Sequence, residues 1–146
     1  MNSQNKKYKN EITVSSSTDN LSVIRNFMEN TAGETGFGKE DTGKIILAVD
    51  EACTNIIKHA YNYSEDGEIT ISVKMQNSKF TISITDGGRS FNPELIPEPD
   101  IKEYHQQKRV GGLGMFLMKK LMDDVIYKTH PDKKNQVILI KYLNKN

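Results

Sequence analysis

The chain has 146 residues, 20 of them Lys or Arg and 19 Asp or Glu, for a formal net charge of +1. That length suits a single domain with its own core, and the near balance of interleaved acids and bases argues against a nucleic-acid or anionic-membrane partner. No apolar run approaches a bilayer span, no apolar segment follows the start, and a lone Cys53 rules out an internal disulfide or a cysteine metal cluster, so the expectation is a cytoplasmic domain.

The first ten residues, rich in Asn and Lys, are expected to form a loose tail, with a single domain over 11–143. Glu11 to Ser15 is β-branched and predicts a strand. The stretch SSSTDN then offers N-caps, and Leu21, Ile24, Phe27 and Met28 repeat at helical spacing until the glycines of GETGFG. A second helix is predicted from about Glu40 to Tyr61, with Ile45, Ile46, Val49, Cys53, Ile56, Ile57 and Ala60 as apolar positions. Cys53 lies on that apolar part and reads as a small buried hydrophobe. Next, Ile69, Ile71 and Val73, and then Phe80, Ile82 and Ile84, alternate with Thr and Ser around QNSK, which predicts a hairpin. Residues 89–110 carry Pro93, Pro97 and Pro99 and read as a long loop, of the kind that is functional or mobile. GGLGMFLMKKLMDDV opens a third helix with Phe116, Leu117, Met118, Leu121, Met122 and Val125 as its apolar set. The strands VIYKT and QVILIKYL finish the chain around a PDKKN turn. Hairpin-linked strands with grouped helices predict an α+β two-layer sandwich.

Three polar clusters interrupt these apolar patterns. Glu51 and Asn55, four residues apart, share one face of the second helix. A carboxylate there can orient or deprotonate a hydroxyl, and an amide oxygen can ligate Mg²⁺. The plainer alternative is a solvated helix acid beside a local hydrogen-bonder, since E-x-x-x-N alone is common. In Thr85-Asp86-Gly87-Gly88, an acid at a strand end followed by glycines can aim its carboxylate into a cleft, where it could accept from an exocyclic amine such as that of adenine; a simple turn is the alternative. Val110-Gly111-Gly112-Leu113-Gly114 runs into a helix start, whose free N–H groups and dipole suit phosphate; the alternative is a flexible hinge. It is neither a P-loop, lacking the Lys-Ser/Thr, nor a dinucleotide fingerprint.

The order of these parts resembles the GHKL ATPases, the superfamily that contains the gyrase, histidine-kinase and mismatch-repair ATP-binding domains. DEACTNIIKHAY resembles their N box, DGGRSFNP the first glycine box and GGLGMFLMKKLMD the second. Glu51, Ala52, Thr54, Asn55 and His59 match the E-A-x-T-N-x-x-x-H form of one branch, the bacterial anti-sigma factor serine kinases, and the similarity runs from about residue 10 to residue 142.

The resemblance implies a Bergerat-type α/β sandwich, with a mixed, mostly antiparallel sheet and three main helices on one face. It implies ATP and Mg²⁺ as cofactors, and phosphoryl transfer from ATP to a partner's serine. Glu51 would be catalytic and Asn55 would hold the metal. Asp86 would bind the adenine amine, with Gly88 letting the base sit close; Phe91 would open an ATP lid over about 91–110; Gly112, Leu113 and Gly114 would meet the phosphates. His59 would either line the phosphate end or simply pack, and Arg25 falls where this branch has a partner-contacting arginine. The implied partners are a STAS-domain anti-anti-sigma protein, a sigma factor and a second copy of the chain. Gly111 departs from the Arg or Ser that many relatives carry before G-L-G, with Lys108 and Arg109 as substitute cations, and Ser90 stands where D-x-G-x-G has a third glycine. The alternative is a non-catalytic ATP-binding regulatory module of the same fold. A detached histidine-kinase catalytic domain ranks lower, because none of His59, His105 and His130 sits on a preceding helical hairpin.

Overall fold

The computed structural model describes residues 7–91, 114–129 and 134–143. Five strands form one sheet in the order β1-β2-β3-β5-β4, where β1 is Tyr8–Ser15, β2 Glu68–Gln76, β3 Lys79–Asp86, β4 Asp124–Thr129 and β5 Asn135–Tyr142. Every one of the four pairings is antiparallel. β3 and β4 therefore run in the same direction with β5 between them, because the chain crosses to the edge after β3 and returns by a hairpin.

Three helices complete the second layer: α1 (Leu21–Glu34), α2 (Lys39–Asn55) and α3 (Gly114–Leu121). Ser17 caps the short 3₁₀ turn Thr18–Asn20 that leads into α1, its hydroxyl accepting from the Asp19 amide at 3.1 Å. α1 gives way at Gly36, whose φ of +108° is left-handed and suits a residue without Cβ. Glu40 and Asp41 lie in the first turn of α2, where the helix dipole favours acids.

Alternation in the strands and helical spacing in α2 create the core. Ile69, Ile71, Val73, Phe80, Ile82, Ile84 and Leu139 turn inward from the sheet and join Ile45, Ala48, Val49, Ala52 and Cys53 of α2 in one buried cluster. Cys53 is fully buried, as its position on the apolar face implies, and burial pushes its thiol well above the ordinary range.

Element boundaries differ from expectation in three places. β1 begins at Tyr8 rather than Glu11, so Tyr8–Asn10 belong to the sheet instead of the tail; their backbone pairs with Val73–Met75 of β2. α2 does not continue as a regular helix to Tyr61: Ile56–Ala60 wind as a π turn. α3 ends at Leu121, and Val125 lies on β4 opposite Leu139 rather than on the helix. The hairpin turn is Asn77-Ser78, both left-handed (φ 54° and 64°), the signature of the tight turns that match strand twist. The expected lid, 91–110, lies outside the described residues apart from Phe91.

Candidate functional site

α2 carries Glu51 and Asn55 one turn apart, at 4% and 6% exposure. A solvated face would leave both in water, so the plainer reading of this pair does not hold. A pocket opens beside Asn55, lined by Asn55 and Ile56 from the helix layer, Asp86 at the end of β3, Phe91, and Asn135 and Val137 from β5. The Nδ2 of Asn55 is buried and has no hydrogen-bond partner among the described residues. An unpaired buried polar group costs about 1–3 kcal/mol, and such groups persist where something else is to be bound.

Asp86 closes the opposite wall at 4% exposure. Its Oδ1 accepts from the Gly88 amide at 2.9 Å and from Asn135 Nδ2 at 3.1 Å. Asn135 also donates to the Gly88 carbonyl at 3.0 Å, and Ser90 Oγ donates to Asn135 Oδ1 at 2.7 Å. Among the described residues both hydrogen bonds to the carboxylate fall on Oδ1, and none falls on Oδ2. Burial pushes the Asp86 carboxyl above its usual range, against the opposing pull of Asn135 and Gly88.

A raised folded-state pKa means that the group's contribution to stability is present below the unfolded value and is lost as pH rises through the folded one. Asp86→Asn keeps an acceptor for Gly88 and Asn135 while removing the buried charge. The ligand-free variant is therefore expected to melt at or above wild type at pH 7, with the gap closing as the pH falls from the raised folded-state value to the ordinary Asp value. Melting curves across pH check this.

Gly88 also makes a close approach within the fold. A Cβ there would lie 2.7 Å from the carbonyl oxygen of Ala60 and 2.9 Å from its Cβ, so the close approach is to the end of the π turn. The Arg89 amide donates to that same carbonyl at 2.8 Å. Gly88→Ala must displace backbone on one side of this contact, at about 1–3 kcal/mol by analogy with overpacking. A fall of several degrees in melting temperature is expected, together with weaker ATP binding by calorimetry.

His59 projects from the π turn and meets Phe91 with ring centroids 5.4 Å apart. Burial, then the neighbouring charges of Lys58 and Arg89, hold its pKa below the ordinary value. Arg25 lies on the exposed side of α1 and pairs with Asp50 at 2.8 Å, away from the pocket lining. Gly114 starts α3, whereas Gly112 and Leu113 lie outside the described residues. Among the described residues no cluster of three or more His, Cys, Asp or Glu could hold a metal ion, and no helix is long and apolar enough to cross a membrane.

Sequence reasoning missed Asn135. Its role comes from strand register, which sets it directly opposite Asp86 from 49 residues away; the available signal was a polar residue opening the final apolar strand.

Residues 14–141 match the family of histidine kinase-like ATPase domains. The chain belongs to that family. Members named serine-protein kinase RsbW are similar over most of their length. The one from Listeria monocytogenes serovar 1/2a is 38% identical over 128 residues, 85% of this chain and 80% of its own. That from Oceanobacillus iheyensis is 37% identical, covering 79% and 75% of the two chains, and that from Bacillus mycoides is 31% identical, covering 92% and 85%. The fold is shared with the RsbU and RsbW domains of Rv1364c from Mycobacterium tuberculosis (TM-score 0.68, 16% identity, 95% of this chain and 33% of that one). It is shared also with a chain of the SiaB–SiaC complex from Pseudomonas aeruginosa (TM-score 0.55, 13% identity, 92% and 89%).

Proposed function

We propose that the protein is an ATP-dependent serine-protein kinase and anti-sigma factor of the cytoplasm. It phosphorylates a serine of a STAS-domain anti-anti-sigma protein and, in the alternative state, sequesters a sigma factor. The observation that carries the reading is the pocket itself. It is lined by the buried amide of Asn55, with the buried Glu51 one turn before it on α2, and by the buried carboxylate of Asp86, in a family with serine-protein kinase members such as one 38% identical to this chain.

The adenine amine donates to Asp86 Oδ2, whose partner oxygen is fixed by Gly88 and Asn135. The triphosphate would be held by Asn55 and by backbone N–H groups of Gly112 and Gly114. Asn55 would hold magnesium through its amide oxygen, since Mg²⁺ takes hard oxygen donors from one or two side chains together with phosphate and water; its buried, unpaired Nδ2 is a hydrogen-bond donor and would suit a phosphate oxygen. When bound, the ion neutralises charge on the phosphate oxygens. Glu51, one turn away, orients the incoming serine hydroxyl and takes its proton as the γ-phosphoryl moves. Positioning in a water-poor pocket supplies most of the rate, because phosphoryl transfer needs little covalent help from the protein.

Phosphorylation lowers the kinase's affinity for the STAS protein and frees it for the sigma factor, which requires the two complexes to differ in affinity. The working unit is a homodimer, for which Val23 on α1 and Leu47 on α2, exposed at 46% and 44%, supply apolar surface. The test is incubation with a STAS-domain protein and γ-labelled ATP. Label on a partner serine is the expected result. Nucleotide bound with no label transferred would instead identify a non-catalytic ATP-binding module.

A further inference from the structure

Tyr61 has no part in the chemistry above, yet it touches the purine end of the site on two sides. It follows the π turn directly, and its amide donates back to the Ile56 carbonyl at 3.0 Å. The next two residues, Asn62 and Tyr63, are both left-handed (φ 50° and 65°) without being glycine. Such conformations cost free energy and persist only where the surroundings hold them. Here the chain reverses so that the Tyr61 ring lies flat against Gly67, where a Cβ would sit 2.2 Å from Cε1. The phenol then reaches the turn after β3. Its oxygen accepts from the Gly87 amide at 2.8 Å and donates to the Glu68 carbonyl at 2.7 Å. Gly87 is the residue after Asp86, and Glu68 opens the strand whose Ile69 pairs with Asp86. One hydroxyl thus links the DGG turn to β2, while the adjacent Ala60 carbonyl holds Arg89 on the far side of that turn.

We propose that Tyr61 is a positioning residue for purine recognition: its hydroxyl fixes the Gly87 peptide and so sets the direction of the Asp86 carboxylate. This inference rests on the reading of Asp86 as the acceptor of the adenine amine. Tyr61→Phe keeps the ring on Gly67 and deletes only the hydroxyl. Gly67→Ala does the reverse, moving the ring while keeping every hydrogen-bonding group.

The experiment measures dissociation constants of the full chain for ATP and for inosine triphosphate, which has a carbonyl in place of the amine. Each variant is read alone and combined with Asp86→Ala. Both are expected to weaken ATP about tenfold, to change the inosine nucleotide less than about twofold, and to add less than about twofold once Asp86 is gone, the non-additivity of residues acting through one contact. Equal weakening of both nucleotides, or full multiplication with Asp86→Ala, overturns the proposal and leaves Tyr61 a structural residue only. If Asp86→Ala removes discrimination between the nucleotides while the Tyr61 and Gly67 variants keep it, the proposal alone fails. If Asp86→Ala leaves discrimination unchanged, the reading of Asp86 fails and takes this inference with it.

Discussion

Glu51→Gln is expected to lower the rate of phosphoryl transfer by about 10²–10⁴-fold, the usual contribution of a general base. ATP affinity should stay within roughly threefold of wild type, because the lost interaction is one made with the reacting hydroxyl and not with the nucleotide. The substitution is close to isosteric, which matters at a position that is 4% exposed in the middle of α2. Alanine there would open space in a layer that also holds Ala48, Ala52 and Cys53 and would mix a packing defect with the chemical one. Single-turnover transfer to the STAS protein, measured beside calorimetric binding of ATP, separates the two effects. Loss of binding in parallel with loss of rate would place Glu51 in nucleotide retention and remove it from the catalytic role.

Asp86→Ala is expected to weaken ATP by about 1–3 kcal/mol, roughly 5- to 150-fold in dissociation constant, as a buried polar contact goes unmade. The effect has two sources. The amine loses its acceptor, and the Gly88 amide and Asn135 Nδ2 lose theirs, so the turn itself loosens. Asp86→Asn isolates the first source, since an amide oxygen still serves both internal donors while its NH₂ opposes the adenine amine. Both variants should therefore bind ATP weakly, and only the alanine variant should also melt lower at neutral pH. Calorimetry with melting curves distinguishes them. Wild-type affinity in both would show that the base is held elsewhere.

The architecture was largely legible because it is written in periodicity. Alternation in 69–73 and 80–84 fixes which face of the hairpin is buried, and the 3–4 spacing through Ile45, Val49 and Cys53 fixes the inner stripe of α2. Glu51, Asn55 and Asp86 stood out for the opposite reason: they are polar groups that break an apolar pattern, and all three are buried, with Asn55 and Asp86 lining one pocket. What escaped depends on three-dimensional register. Asn135 meets Asp86 only because β5 enters between β3 and β4, and Tyr61 meets Gly87 only because the helix end leaves regular geometry. The π turn had no signature of its own, since Ile56–Ala60 keeps the apolar spacing of the residues before it. The contact of Gly88 with Ala60 escaped for a related reason: a glycine signals close approach without naming the neighbour.

The widened turn at Ile56–Ala60 gives the end of α2 a second duty. The Ala60 carbonyl accepts from the Arg89 amide and the Tyr61 hydroxyl accepts from the Gly87 amide, so the helix end that would face phosphate is tied by hydrogen bonds to the DGG turn that would face the base. A residue added to or removed from 56–60 would rotate Ala60 and Tyr61 away from both donors. Loosened grip on the base, rather than a new phosphate preference, is the expected consequence of such an insertion or deletion.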